Sequence, residues 1–158
     1  MKERRTRMNL ATPADPVRTR LVAAGAAAVT IGAGLGLRAV ATGDVAKYGG
    51  DALYTVLLHA LVVLAAPRVT PLAAAGTALA VSCAVEFSQL TDAPAELARR
   101  SAVARLVLGS TFNPPDLVWY AVGAAVGWLV HSAVGSSNSG DAKSARRTMK
   151  SLILGRRE

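Results

Sequence analysis

The sequence predicts an all-α integral membrane protein: a four-helix transmembrane bundle with a short interfacial or re-entrant segment between its third and fourth helices. Three observations carry that prediction. The 158 residues are 52% hydrophobic, 18% charged and only 4% aromatic, with a positive mean hydropathy of +0.35, a balance that suits neither a disordered chain nor an ordinary soluble domain. Long uncharged stretches recur at 21–37, 52–66, 72–85 and 117–134. Finally, the net charge of +8 sits in the tails: residues 1–20 and 135–158 each carry six Lys/Arg against two acids, while 21–134 holds six of each sign. Terminal cations argue against a nucleic-acid partner, which would be met by a basic folded face, and suit a membrane protein whose ends lie in the cytoplasm.

Residues 1–20 are polar and basic, with Pro13 and Pro16 opposing a continuous helix, so they read as a basic cytoplasmic arm. The first span, about 21–40, is rich in Gly and Ala and contains a Gly32/Gly36 GxxxG pair suited to close packing in lipid. A signal peptide is the alternative there, since a basic leader, an apolar run and Ala39-Val40-Ala41 imitate one. A glycine-containing loop then leads to a second span at about 50–66; its 15 uncharged residues cover roughly 22 Å, so the helix is expected to draw on interfacial residues before Asp51. Pro67-Arg68-Val69-Thr70-Pro71 forms a tight turn, and the third span covers about 69–90.

Residues 91–115 form the longest break and include Arg99, Arg100 and Arg105; an interfacial or re-entrant helix and a solvated loop both fit. Asp116 stands where a helix cap is expected, opening the fourth span at 116–134. Gly135-Ser-Ser-Asn-Ser-Gly140 reads as a linker, and the tail beyond it as a basic cytoplasmic segment, either amphipathic or disordered. An even number of crossings returns the chain to its starting side, so both termini are expected in the cytoplasm of a multi-pass protein of the cytoplasmic membrane. The three arginines of the long break then fall outside, against the usual charge bias, which marks them as charges in need of a partner.

The same topology gathers polar groups at one depth. Asp51 and Tyr54 fall at the outer end of the second span, Glu86 and Gln89 at the outer end of the third, and Asp116 and Tyr120 at the outer start of the fourth. Ser82, Glu86 and Gln89 share one helical face, as do Asp116, Tyr120, Gly123 and Gly127. A carboxylate beside hydrocarbon costs a few kcal/mol, on the order of 3, even on the lenient insertion scale, so Asp51, Glu86 and Asp116 are expected to be paired, with Arg99 or Arg100 as counter-ion. Each residue also has a plainer role open to it: Asp116 as a cap, Asp51 as a wetted interfacial group, Trp119 and Tyr120 as belt anchors, the glycines as a packing seam. His59 and His131 read as solvated or hydrogen-bonded side chains. One cysteine, Cys83, and two histidines give no basis for a disulfide, a metal site or a cofactor motif.

Five segments together carry a resemblance: Gly50-Asp51-Ala-Leu-Tyr54; Glu86-Phe-Ser-Gln89-Leu90; Arg99/Arg100; Leu106-Val-Leu-Gly109-Ser110-Thr-Phe112; and Asp116-Leu-Val-Trp-Tyr120-Ala-Val-Gly123. In this order the chain resembles the VanZ-like membrane proteins and, more closely, the domain-of-unknown-function family 2809 of small bacterial membrane proteins, over about 35–131. Ala104 stands where that pattern leads one to expect glycine. The closer family implies no particular activity; VanZ-like proteins are associated with resistance to glycopeptide antibiotics of the teicoplanin type.

Three function classes remain open. The first is a non-catalytic envelope protein binding membrane lipids or a lipid-linked group at the outer cluster. The second is a membrane enzyme with Glu86 and Asp116 as acid and base and Arg99 or Arg100 as anion clamp. The third is a small transporter or assembly subunit, for which the chain shows no clear repeated halves. No nucleophile motif supports the enzyme, so the binding protein ranks first.

Overall fold

A computed structural model describes residues 15–91, 93–108 and 111–154. Six helices follow in order: α1 (Pro16–Val40), α2 (Gly43–Ala65), α3 (Pro71–Ser88), α4 (Ala93–Arg100), α5 (Ala102–Leu108) and α6 (Asp116–Leu154). Four of them, α1, α2, α3 and the Asp116–Ser137 part of α6, are long and apolar enough to cross a membrane. The fold is an all-helical multi-pass membrane bundle, with the short α4–α5 pair between the third and fourth crossings. Most of the basic arm, 1–14, and the last four residues lie outside the described residues.

Helix starts follow local chemistry. α1 begins at Pro16, five residues before the expected 21, because proline at the first helical position gives up a hydrogen bond the helix lacks anyway. Asp15 caps it, its Oδ1 accepting from Val17 N at 3.0 Å. Arg20 therefore lies on the helix, and its Nε donates to the carbonyl of Leu64 at 3.3 Å, satisfying an orphan acceptor at the end of α2. Pro71 likewise opens α3, behind Thr70, whose Oγ1 accepts from Ala73 N at 3.3 Å.

α2 begins at Gly43, not near residue 50: the expected loop is helix, giving 23 residues and about 34 Å of length. Only two residues separate it from α1, and Gly43 takes the reversal with a φ of 62°, which a side chain would strain. At the far end of the chain the expected linker at 135–140 is also helix, since α6 continues unbroken to Leu154. Two of its serines support that continuity, the hydroxyls of Ser136 and Ser137 donating back to the carbonyls of Ser132 and Ala133 at 2.9 and 3.0 Å.

α2 is central: α1, α3 and α6 all pack on it, and α3 also packs on α6. Buried contacts are made largely by small residues such as Ala23, Ala27, Ala74, Ala75, Ala78 and Ala124, which let helices approach closely where lipid offers no hydrophobic drive to associate. Gly123 and Gly127 are the seam against α2, for a Cβ on Gly123 would stand 2.3 Å from the carbonyl oxygen of Ala52. By contrast a Cβ on Gly32 or Gly36 meets nothing within 4 Å, so the GxxxG pair of α1 is not an internal contact of the bundle. Ala23 of α1, Val63 of α2 and Ala74 of α3 cluster at one end. The C-terminal end of α3 and the N-terminal ends of α2 and α6 meet at the other, where the polar side chains collect.

Candidate functional site

Lys47, four residues before Asp51 on α2, stands between two carboxylates. Its Nζ is bonded to Asp116 Oδ1 of α6 and lies 3.9 Å from Asp51 Oδ2. The amide of Asn113, in the turn before α6, also donates to Asp116 Oδ1. Asp116 is buried under these two donors, whereas the Lys47 side chain keeps 44% of its exposure and opens the cluster to the outside of the bundle. Beside it the rings of Tyr48 and Trp119 stack at 5.5 Å between centroids, and Lys47 Nζ lies 5.1 Å above the Tyr48 ring.

Glu86 is deeper, 1% exposed on the last turn of α3. Its Oε1 accepts from the backbone N–H of Asn113 at 2.5 Å and its Oε2 from the Tyr120 hydroxyl at 2.9 Å, so α3, the turn before α6 and α6 itself are held by one carboxylate. The Tyr54 ring lies 6.3 Å from that of Tyr120, tilted against it. Gln89 Nε2 donates to the carbonyl of Leu108 at 2.6 Å, fixing the end of α5 to the end of α3, and Phe87 stacks on Phe112 at 6.0 Å.

Six of the eight expected residues, Asp51, Tyr54, Glu86, Gln89, Asp116 and Tyr120, therefore converge at one end of the bundle. Arg99 and Arg100 do not join them. Both pair with Glu96 on α4, Arg100 by Nη2 to Oε1 at 2.7 Å, and their side chains are 73% and 76% exposed. The reason is local: Glu96 is three and four residues away on the same short helix, within side-chain reach and already in water, so neither guanidinium has to be desolvated. The counter-ion of the carboxylates is Lys47 instead. Its i,i+4 spacing from Asp51 was the available signal, concealed by reading residues 43–50 as a loop. Asn113 left no signal for its bond to Glu86, which is made by the backbone N–H, while its side-chain amide serves Asp116 three residues on. Among the described residues, no three His, Cys, Asp or Glu come together as a group able to hold a metal ion.

A family model described as a protein of unknown function, DUF2809, matches residues 40–124, more than half the chain. The chain belongs to the DUF2809 family. The matched stretch runs from the end of α1 through the first two turns of α6 and contains every member of the polar cluster. The DUF2809 region is thus the part of the bundle that brings α2, α3 and the start of α6 together. No curated protein and no solved structure matches the chain.

Proposed function

We propose that this membrane protein is a non-catalytic component of the bacterial cell envelope, lying in the cytoplasmic membrane with both termini cytoplasmic, and that it binds a lipid or lipid-linked group at the outer-leaflet polar cluster. One observation carries this: Lys47 stands half-exposed at the rim between Asp51 and Asp116, beside a stacked Tyr48–Trp119 pair, as a headgroup site at the membrane surface requires. With one ammonium against two carboxylates this rim is net negative, so a group offering a cation or hydrogen-bond donors is favoured over a bare anion. Asp51 Oδ2 is buried without a hydrogen-bond partner and is the acceptor left for it.

Catalysis is less well served. Glu86 spends both oxygens on Asn113 and Tyr120, and the guanidiniums suited to clamp an anion are spent on Glu96. The order Glu86-x-x-Gln89, arginine, Asp116 keeps a link to VanZ-like proteins within the proposal. Native mass spectrometry of the purified chain after incubation with extracted envelope lipids tests it. Unchanged lipid bound to the protein is expected; conversion of a lipid would make the chain an enzyme.

A further inference from the structure

The polar residues do not stop at the rim. α2 carries Asp51, Thr55 and His59 at intervals of four, on one face, with about 12 Å between the first and the last along the axis. Thr55 Oγ1 lies 2.8 Å from Ser82 Oγ on α3, both groups fully buried. One turn deeper, His59 Nε2 lies 3.3 Å from His131 Nδ1 on α6, the rings edge to face with 5.4 Å between centroids. His59 is 5% exposed and His131 is half-buried, nearer the opposite end of the bundle. Gly127 makes room for this arrangement, because a Cβ there would stand 2.9 Å from both Cγ and Nδ1 of the His59 ring.

Two atoms on this face of α2 are buried without a hydrogen-bond partner: Asp51 Oδ2 above the Thr55–Ser82 pair and His59 Nδ1 below it. Burying a polar atom unpaired is costly, and rows of Asp, Glu and His inside membrane helices are retained where they carry protons or ions. The titratable groups brought to this region are Lys47, Asp51, Tyr54 and His59 on α2, Cys83 and Glu86 on α3, and Asp116, Tyr120 and His131 on α6. The Thr55 hydroxyl, paired with Ser82 and 3.4 Å from the backbone carbonyl of Asp51, stands one helical turn from Asp51 and one from His59, so groups that can each accept a proton and pass one on recur along α2 at about 6 Å.

We propose that the interior between α2, α3 and α6 is a proton relay whose deep end is the His59–His131 pair. At rest His59 Nε2–H donates to His131 Nδ1, leaving His59 Nδ1 as a bare acceptor. A proton arriving there from the Asp51 side makes an imidazolium, which passes its Nε2 proton to His131 Nδ1; His131 then releases its own Nε2 proton towards the opposite end. One proton enters, one leaves, and both rings finish neutral with their tautomers exchanged, to be restored by reorientation of the rings. This goes beyond lipid binding at the rim and does not depend on it.

The test uses the full chain in vesicles of phosphatidylethanolamine and phosphatidylglycerol that enclose a pH-sensitive dye, with a potassium gradient and valinomycin supplying the driving force. Proton entry on the order of tenfold faster than in protein-free vesicles is expected, falling to the protein-free rate in His131→Leu. Size exclusion and circular dichroism establish that the variant is folded; should the leucine variant fail to fold, His131→Gln, which keeps size and polarity but cannot titrate, must fall to the same background. A wild-type rate equal to that of protein-free vesicles, or a folded His131 variant that conducts as wild type does, overturns the proposal.

Discussion

Glu86 shows how a buried carboxylate is kept without a guanidinium. One backbone N–H and one phenol satisfy its two oxygens, and because the donors come from different segments the residue acts as a clasp between α3 and α6. Glu86→Gln turns one acceptor oxygen into an amide that faces a donor, and Tyr120→Phe removes a donor from a buried carboxylate. Each is expected to lower stability by about 1–3 kcal/mol. The double variant should lose less than the sum, since removing both partners orphans neither. Thermal unfolding in detergent measures this cycle. The companion cycles of Glu86 with Arg99 and with Arg100 should be strictly additive, because those guanidiniums are engaged with Glu96; a coupling there would return the arginines to the cluster.

At the scale of elements, the decisive contact is the approach of α6 to α2. A Cβ at Gly123 would collide with backbone at Ala52, which cannot turn aside as a side-chain tip can, so Gly123→Ala must separate the helices. A loss of about 1–3 kcal/mol, the usual cost of overpacking, is expected in the same unfolding assay. Gly32→Ala on α1, with open space around it, should leave stability unchanged or slightly raised. Equal effects at the two positions would deny the seam. Hydropathy made the four crossings legible, and helical spacing placed Gly123, Gly127, Asp116 and Tyr120 on one face. What it concealed were helix ends. Pro16, a breaker inside a helix, occupies the first helical position of α1, and the glycines at 43, 49 and 50, which favour a loop by composition, lie within α2. With a loop expected there, the i,i+4 relation of Lys47 to Asp51 does not show, and the counter-ion of the site is hidden with it. His59 and His131 read from sequence as solvated or hydrogen-bonded side chains; that they meet each other is a contact no local spacing reveals.

For the whole molecule, the arrangement of helices brings the start of α1 and the end of the crossing part of α6 to one end of the bundle and the polar cluster to the other. With basic tails, the proposed orientation puts the first end in the cytoplasm. Single cysteines replacing Arg5, Asp44 or Ala145 on a Cys83→Ala background, labelled with an impermeant reagent in intact cells, test this directly. Position 44 should react, and positions 5 and 145 should react only after lysis; the reverse pattern would invert the protein and move the cluster to the inner leaflet.

Binding at the cluster is the central claim, and lipid retention by paired proteins is its most direct measurement. Wild type and Asp51→Asn, each equilibrated with the same envelope-lipid extract, are compared by native mass spectrometry; the variant should retain on the order of tenfold less lipid, about 1.4 kcal/mol, with matching elution on size exclusion. Asp51 is chosen because its Oδ2 is the acceptor left without a hydrogen-bond partner, and because Asp116 keeps both Lys47 and Asn113 as partners when Asp51 is changed. Equal retention of the same lipid by both proteins, or none by wild type, would contradict a ligand site between Lys47, Asp51 and Asp116.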